Sequence, residues 1–89
     1  MSGGFAPRMT ARAQRQLRRE LSVQAALVVL AHVKQVLGAD PRDGGTPLVG
    51  PEDGLWRADL GVAVVYYEIR EHEVVVTEVQ PPEGATPAR

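Results

Sequence analysis

Leu55-Trp56-Arg57-Ala58-Asp59-Leu60, then Val62-Ala63-Val64-Val65-Tyr66-Tyr67-Glu68-Ile69-Arg70, then Glu73-Val74-Val75-Val76-Thr77-Glu78-Val79: this stretch decides the fold class. Its three runs are rich in β-branched residues and tyrosine, the side chains that fit a pleated, half-buried surface, and they predict three strands in succession. In the middle run Ala63, Val65, Tyr67 and Ile69 alternate with Val64, Tyr66, Glu68 and Arg70. Both sets begin apolar, so Val62–Val65 reads as part of a central strand covered on two sides. The Arg70–Glu73 junction is short enough to close a hairpin, although it lacks the Gly or Asn of a strong two-residue turn. Beyond Val79, Pro81, Pro82, Gly84 and Pro87 exclude regular structure, and residues 81–89 are expected to form a flexible tail behind a single domain spanning 1–80.

Upstream of the strands the periodicity changes. Ala13, Leu17 and Leu21 recur at helical spacing behind Thr10, a good N-cap, while Arg12, Arg15, Arg18 and Arg19 occupy the other faces. Ser22 caps a second predicted helix, with the stripe Ala26, Leu30, Val33, Leu37 widened by Val23 and Leu27. A helix apolar on nearly every side is expected to be buried on more than one of them, against a sheet and the first helix. Gly38 and Pro41 end it. Asp40–Gly54, which holds four glycines and three prolines, reads as an ordered surface connection. A short edge strand around Phe5 is compatible with Pro7. The expected architecture is α+β: two N-terminal helices packed on a small antiparallel sheet of three to four strands.

Composition narrows the function classes. With 89 residues and no cysteine, the chain has no disulfide staple and no thiolate for catalysis or metal binding, and a reducing cytoplasm is its expected location. A fold of this size buries only about 60–65% of its unfolded surface, so a partner covering an apolar patch adds to its stability by mass action. His32 and His72 lack zinc-motif spacing, and neither metal nor cofactor is expected. The apolar run Val23–Val33 contains Gln24 and His32 and is too short to span a bilayer, so no membrane is expected. The net charge of −1 hides an asymmetry: seven basic residues face two acids from Met1 to Arg42, and three face nine from Asp43 to Arg89. The arginine-rich first helix suits either a nucleic acid, an acidic protein segment, or a solvated surface.

The connection and first strands carry a resemblance. Pro41-Arg42, Gly45-Thr46-Pro47-Leu48 and Gly54-Leu55-Trp56-Arg57, followed by Leu60-Gly61 and Val65-Tyr66-Tyr67-Glu68-Ile69, are similar to the proline, "G-x-P-L", "L-W-R", "V-G" and "V-I-Y-E-I" pattern of RelE/ParE toxins. Thr10-Ala11-Arg12-Ala13 leading to Leu17 resembles the start of that family's first helix. The likeness covers about residues 10–79. It implies a prokaryotic type II toxin paired with an antitoxin that wraps it with a helix or strand. RelE-like members cleave mRNA on the ribosome with basic and aromatic side chains; ParE-like members bind DNA gyrase and cleave nothing. The chain departs from the RelE-like pattern at three places: Val64 stands where an arginine is usual, Asp59 where a further basic residue is usual, and Pro81–Thr86 where the "H-R-x-x-x-Y" segment falls.

Attack by a 2′-hydroxyl requires a base, cationic stabilisation of the phosphorane, and an acid for the leaving oxygen. The candidates for such chemistry are Arg57, Tyr66 and His72, and those for contact with RNA or a protein partner are Arg12, Arg15, Arg19, Arg57 and Arg70. Each has a plainer reading. Arg57 suits a solvated strand head as well as a phosphate. His72 has the pKa range of a proton shuttle but sits in a predicted turn. Trp56 and Tyr67 read as packing residues, His32 as a satisfied structural histidine, and Glu68, Glu71 and Glu73 as a solvated edge. Three functions follow: a toxin-like partner of an antitoxin acting on translation or gyrase, an active ribosome-dependent endoribonuclease, or a degenerate fold kept only as a protein-binding module.

Overall fold

A computed structural model describes residues 5–48 and 54–82. The chain runs β1 (Ala6–Met9), α1 (Ala11–Arg19), α2 (Val23–His32) with a widened π-helical turn at Val33–Leu37, β2 (Thr46–Pro47), β3 (Leu55–Asp59), β4 (Val64–Ile69) and β5 (Glu73–Gln80). The five strands form one sheet in the order β1-β5-β4-β3-β2. The expected α+β class holds, with a larger strand count. The sheet is also mixed where an antiparallel one was expected, because β1 pairs with β5 in parallel, Ala6 opposite Glu73 and Met9 opposite Val76. A two-residue strand, Thr46–Pro47, interrupts the connection that reads from sequence as surface loop. Residues 49–53 of that connection, and the expected tail from residue 83 on, lie outside the described residues.

The caps anticipated from sequence hold both helices. The Thr10 hydroxyl accepts from Ala13 N–H at 3.1 Å and the Ser22 hydroxyl from Ala25 N–H at 3.1 Å, each satisfying one of the donors a helix start leaves unpaired. Thr10 does more than cap: its hydroxyl donates to the Thr77 carbonyl at 3.3 Å, and its N–H to Val76 O at 3.0 Å. Beyond this point β5 has outrun β1, and the Gln16 side-chain oxygen takes the next exposed donor, Val79 N–H, at 2.8 Å. The first turns of α1 thus finish the edge of β5.

One core joins both layers. Ala13 and Leu17 of α1, Val29, Val33 and Leu37 of α2 and its extension, and Ala58, Val65, Tyr67, Val74, Val76 and Val79 of the sheet are buried together. β4 is central, and Ala63, Val64 and Val65 are buried on both of its sides as the doubly apolar pattern implies. The expected phase of α2 is corrected. Its buried line is Ala25, Val29, Val33 and Leu37, whereas Val23, Leu27 and Leu30 are exposed. A helix apolar around its whole circumference gives no phase, and with one short helix beside it, α2 covers only one of its sides.

A candidate arginine-tyrosine interface

Alternation along the strands puts Leu55, Arg57, Asp59, Val64, Tyr66 and Glu68 on the sheet face turned away from the core. Register then sorts the sequence candidates. Arg57 lies directly opposite Tyr66 across β3 and β4, Thr46 opposite Arg57 across β2 and β3, and Glu78 opposite Tyr66 across β4 and β5. Thr46, Arg57, Tyr66 and Glu78 are therefore one cross-strand row. The register shifts between Tyr66 and Tyr67, whose partners are Glu78 and Val76; the bulge at Thr77 sets Glu78 rather than its neighbour on this face. From the helical layer, Arg12 reaches the end of the row, its guanidinium 3.9 Å from the Glu78 carboxylate.

The remaining candidates are elsewhere. Arg12, Arg15 and Arg19 share one exposed side of α1 and line a shallow depression with Gln16 and Glu20. Arg70 donates to Glu68 at 2.8 Å at the tip of the β4–β5 hairpin, and this bond, then the charge of Glu68, raises its pKa. His72 is exposed in the same hairpin turn, beside Arg8, Arg70, Glu71 and Glu73. Arg57 and Tyr66 are brought together; His72 is not brought to them. Trp56 and Tyr67 are packing residues, their rings stacked with centroids 6.4 Å apart.

Two of the three departures from the RelE-like pattern are neighbours in space. Asp59 pairs with Val64 across β3 and β4, on the same face as Arg57, and its carboxylate lies 4.0 Å from the Arg57 guanidinium. Where a phosphate would require positive charge, this side of the sheet holds a buried valine and an anion beside the nearest cation. Among the described residues, no three His, Cys, Asp or Glu side chains come together to hold a metal ion. No helix among them is long and apolar enough to cross a membrane.

His32 corrects an expectation. Its Nε2 is buried without a hydrogen-bond partner that meets full geometry among the described residues, so the histidine is not fully satisfied, contrary to expectation. The ring lies under Gly44 at the end of α2, and burial lowers its pKa, opposed in part by ring N–H donation toward the Gly44 backbone. A histidine whose folded pKa lies below its unfolded value of about 6.5 favours the fold above that pH, and the contribution is lost as pH falls through the folded pKa. Urea midpoints measured at pH 7.5 and 5.5 should therefore fall further for the wild type than for His32→Gln. Equal falls in the two proteins would remove His32 from the acid sensitivity.

The chain thus sets a helical pair over a mixed sheet, with basic side chains along α1 and Arg57 beside Tyr66 on the other face. Over 88% of its length, at 28% identity and a TM-score of 0.78, the chain is similar to 91% of a chain from the toxin–antitoxin complex RelBE2 of Mycobacterium tuberculosis. It is similar over 92% of its length to all of a chain from the chromosomal ParDE toxin–antitoxin system of P. aeruginosa, at 20% identity and a TM-score of 0.65. A conserved protein of Helicobacter pylori, solved in solution, matches in fold at 11% identity and a TM-score of 0.60, with 86% of this chain and 93% of that one covered. No protein-family model and no curated protein matches the sequence. The chain is a RelE/ParE-like protein, as the motif spacing of residues 10–79 implies.

Proposed function

We propose that this chain is the toxin of a type II toxin–antitoxin pair, held inactive by an antitoxin and slowing growth by binding a protein target of the gyrase kind rather than by cleaving mRNA on the ribosome. The observation that carries the choice of target is the Asp59–Val64 pair beside Arg57. Removing the positive charge that a developing phosphorane needs takes away the largest single contribution to such a reaction. Binding a protein makes no such demand. In this reading Arg57 and Tyr66 contact the target, Arg12, Arg15 and Arg19 contact a partner, and Arg70 and His72 stand apart from both. No cofactor or metal takes part, and the absence of cysteine suits a prokaryotic cytoplasm.

Two assays on the purified chain test this. It is expected to inhibit gyrase supercoiling, with inhibition reduced in Arg57→Ala, and to leave mRNA intact on programmed ribosomes. Ribosome-dependent cleavage that disappears in Arg57→Ala would overturn the choice and make the chain an endoribonuclease. Silence in both assays, together with binding to a co-encoded protein, would support the degenerate protein-binding module instead.

A further inference from the structure

One side of α1 gathers hydrogen-bond donors at helical spacing. Arg12, Arg15 and Arg19 are exposed and, with Gln16 and Glu20, line a depression of about 290 Å3. Positions 12, 15, 16 and 19 fall within about 100° of arc and about 10 Å of axial length, so the four side chains leave the helix in one direction. Gln16 is fixed by the sheet, its Oε1 accepting from Val79 N–H at 2.8 Å. A backbone N–H is met only by an acceptor, which sets the orientation of the carboxamide and leaves its NH2 donors for the depression that it lines.

The surroundings select the chemistry of a ligand. α1 contains no acid from Ala11 to Arg19. Glu20 lines the depression, and Glu78 lies 3.9 Å from Arg12. Arg15 and Arg19 form no ion pair among the described residues. Every side chain lining the depression is polar or charged, so a protein segment finds no apolar anchor in it. α1 holds no aromatic residue on which an unstacked base could rest. The volume also lies below the range of about 300–1,000 Å3 in which pockets enclose a small molecule. What fits is a row of anionic groups on a rigid surface, and the arginine fork matches phosphate oxygens bidentately.

We propose that this side of α1 binds the phosphate backbone of duplex DNA without reading its sequence. The proposal rests on the partner contact given above to Arg12, Arg15 and Arg19 and names that partner. Phosphates of one strand advance about 3.4 Å per base pair, so about 10 Å of α1 reaches about three of them. Arg15 and Arg19 each neutralise one, Arg12 is shared with Glu78, and the Gln16 NH2 group donates to a phosphate oxygen. A target of the gyrase kind works on duplex DNA, which favours DNA over RNA as the source of the backbone.

The test is fluorescence anisotropy of the full chain with four labelled probes: a DNA duplex of about 20 base pairs, the same sequence as a single strand, an RNA duplex and a polyglutamate peptide. The DNA duplex is expected to bind at low salt, equally for two unrelated sequences, with a slope of log affinity on log salt of about −2 to −3. Arg15→Ala/Arg19→Ala, both at exposed positions and checked for folding by circular dichroism, should weaken binding by about tenfold or more and reduce the slope by about 2. Gln16→Glu keeps an acceptor for Val79 N–H and replaces the donor with a negative charge, so it should weaken binding while the urea midpoint stays near the wild type. The proposal is overturned if no duplex binds at about 50 mM salt, if the arginine variant binds as the wild type does, or if the single strand, the RNA duplex or polyglutamate binds more tightly than the DNA duplex. Gyrase inhibition is scored separately on the same preparations. Inhibition without duplex binding removes the backbone site alone, and duplex binding without inhibition removes the choice of target while the site stands.

Discussion

Tyr67→Ala is expected to remove a large share of the protein's folding stability. The side chain is fully buried, its hydroxyl donates to the Pro41 carbonyl at 2.7 Å, and its ring stacks on Trp56. It therefore joins β4, β3 and the connection that follows α2. Truncating a buried aromatic of this size costs about 3–5 kcal/mol, against a total of roughly 4–13 kcal/mol for a chain of this length. Tyr67→Phe keeps the ring and removes only the donor, leaving the Pro41 carbonyl without its partner, for about 1–3 kcal/mol. Urea melts followed by circular dichroism measure both; a Tyr67→Ala loss below about 1 kcal/mol would contradict the packing described. Burial, then the charge of Asp40, pushes the Tyr67 pKa up to about 12. Its neutral form favours the fold fully below the unfolded value of about 10, and that contribution is lost as pH rises toward 12.

Gly45→Ala is expected to be nearly as damaging, for a reason no propensity scale contains. A β-carbon there would overlap the Tyr67 hydroxyl and come within 2.7 Å of the Arg57 carbonyl oxygen. The hydroxyl is fixed by Pro41, and the Arg57 carbonyl belongs to β3, which is paired on both sides. Neither gives way cheaply. Overpacking of this kind costs about 1–3 kcal/mol or more. In a Tyr67→Phe background one of the two clashes disappears, so the penalty of Gly45→Ala should shrink there; the difference is the coupling that a double-mutant cycle reads. Strict additivity would mean that Gly45 and Tyr67 do not meet.

The parts of this fold that were legible are those written in local backbone preference. Thr10 and Ser22 cap helices because their hydroxyls reach an N–H three residues on, and the β-branched runs from Leu55 to Val79 become strands because their pattern has period two. Tyr67 is recognisable as core from its alternation with Tyr66. What was not legible depends on pairing between distant residues. β1 becomes a parallel strand only because His72 and Val76 offer it carbonyls, and β2 is two residues long inside a run of turn formers. The open side of α2 is hidden by its composition, since Val23, Leu27 and Leu30 look like core until the single neighbouring helix is placed.

The candidate site divides along the same line. Arg57 and Tyr66 were nameable as residue types, but their adjacency follows from the β3–β4 register, and the arrival of Arg12 at Glu78 from the bulge at Thr77. The unfavourable meeting of Asp59 with Val64 was present in the sequence as two separate departures. Only the register makes them one feature.

Growth of a bacterial culture after induction of this chain, alone and together with the small protein encoded beside it, decides whether the chain is a toxin at all. Induction alone should halt growth within a few doublings, and co-expression should restore it, with the restoring protein recovered bound to the chain. Undiminished growth on induction, with full-length folded protein present in the cells, would contradict that reading.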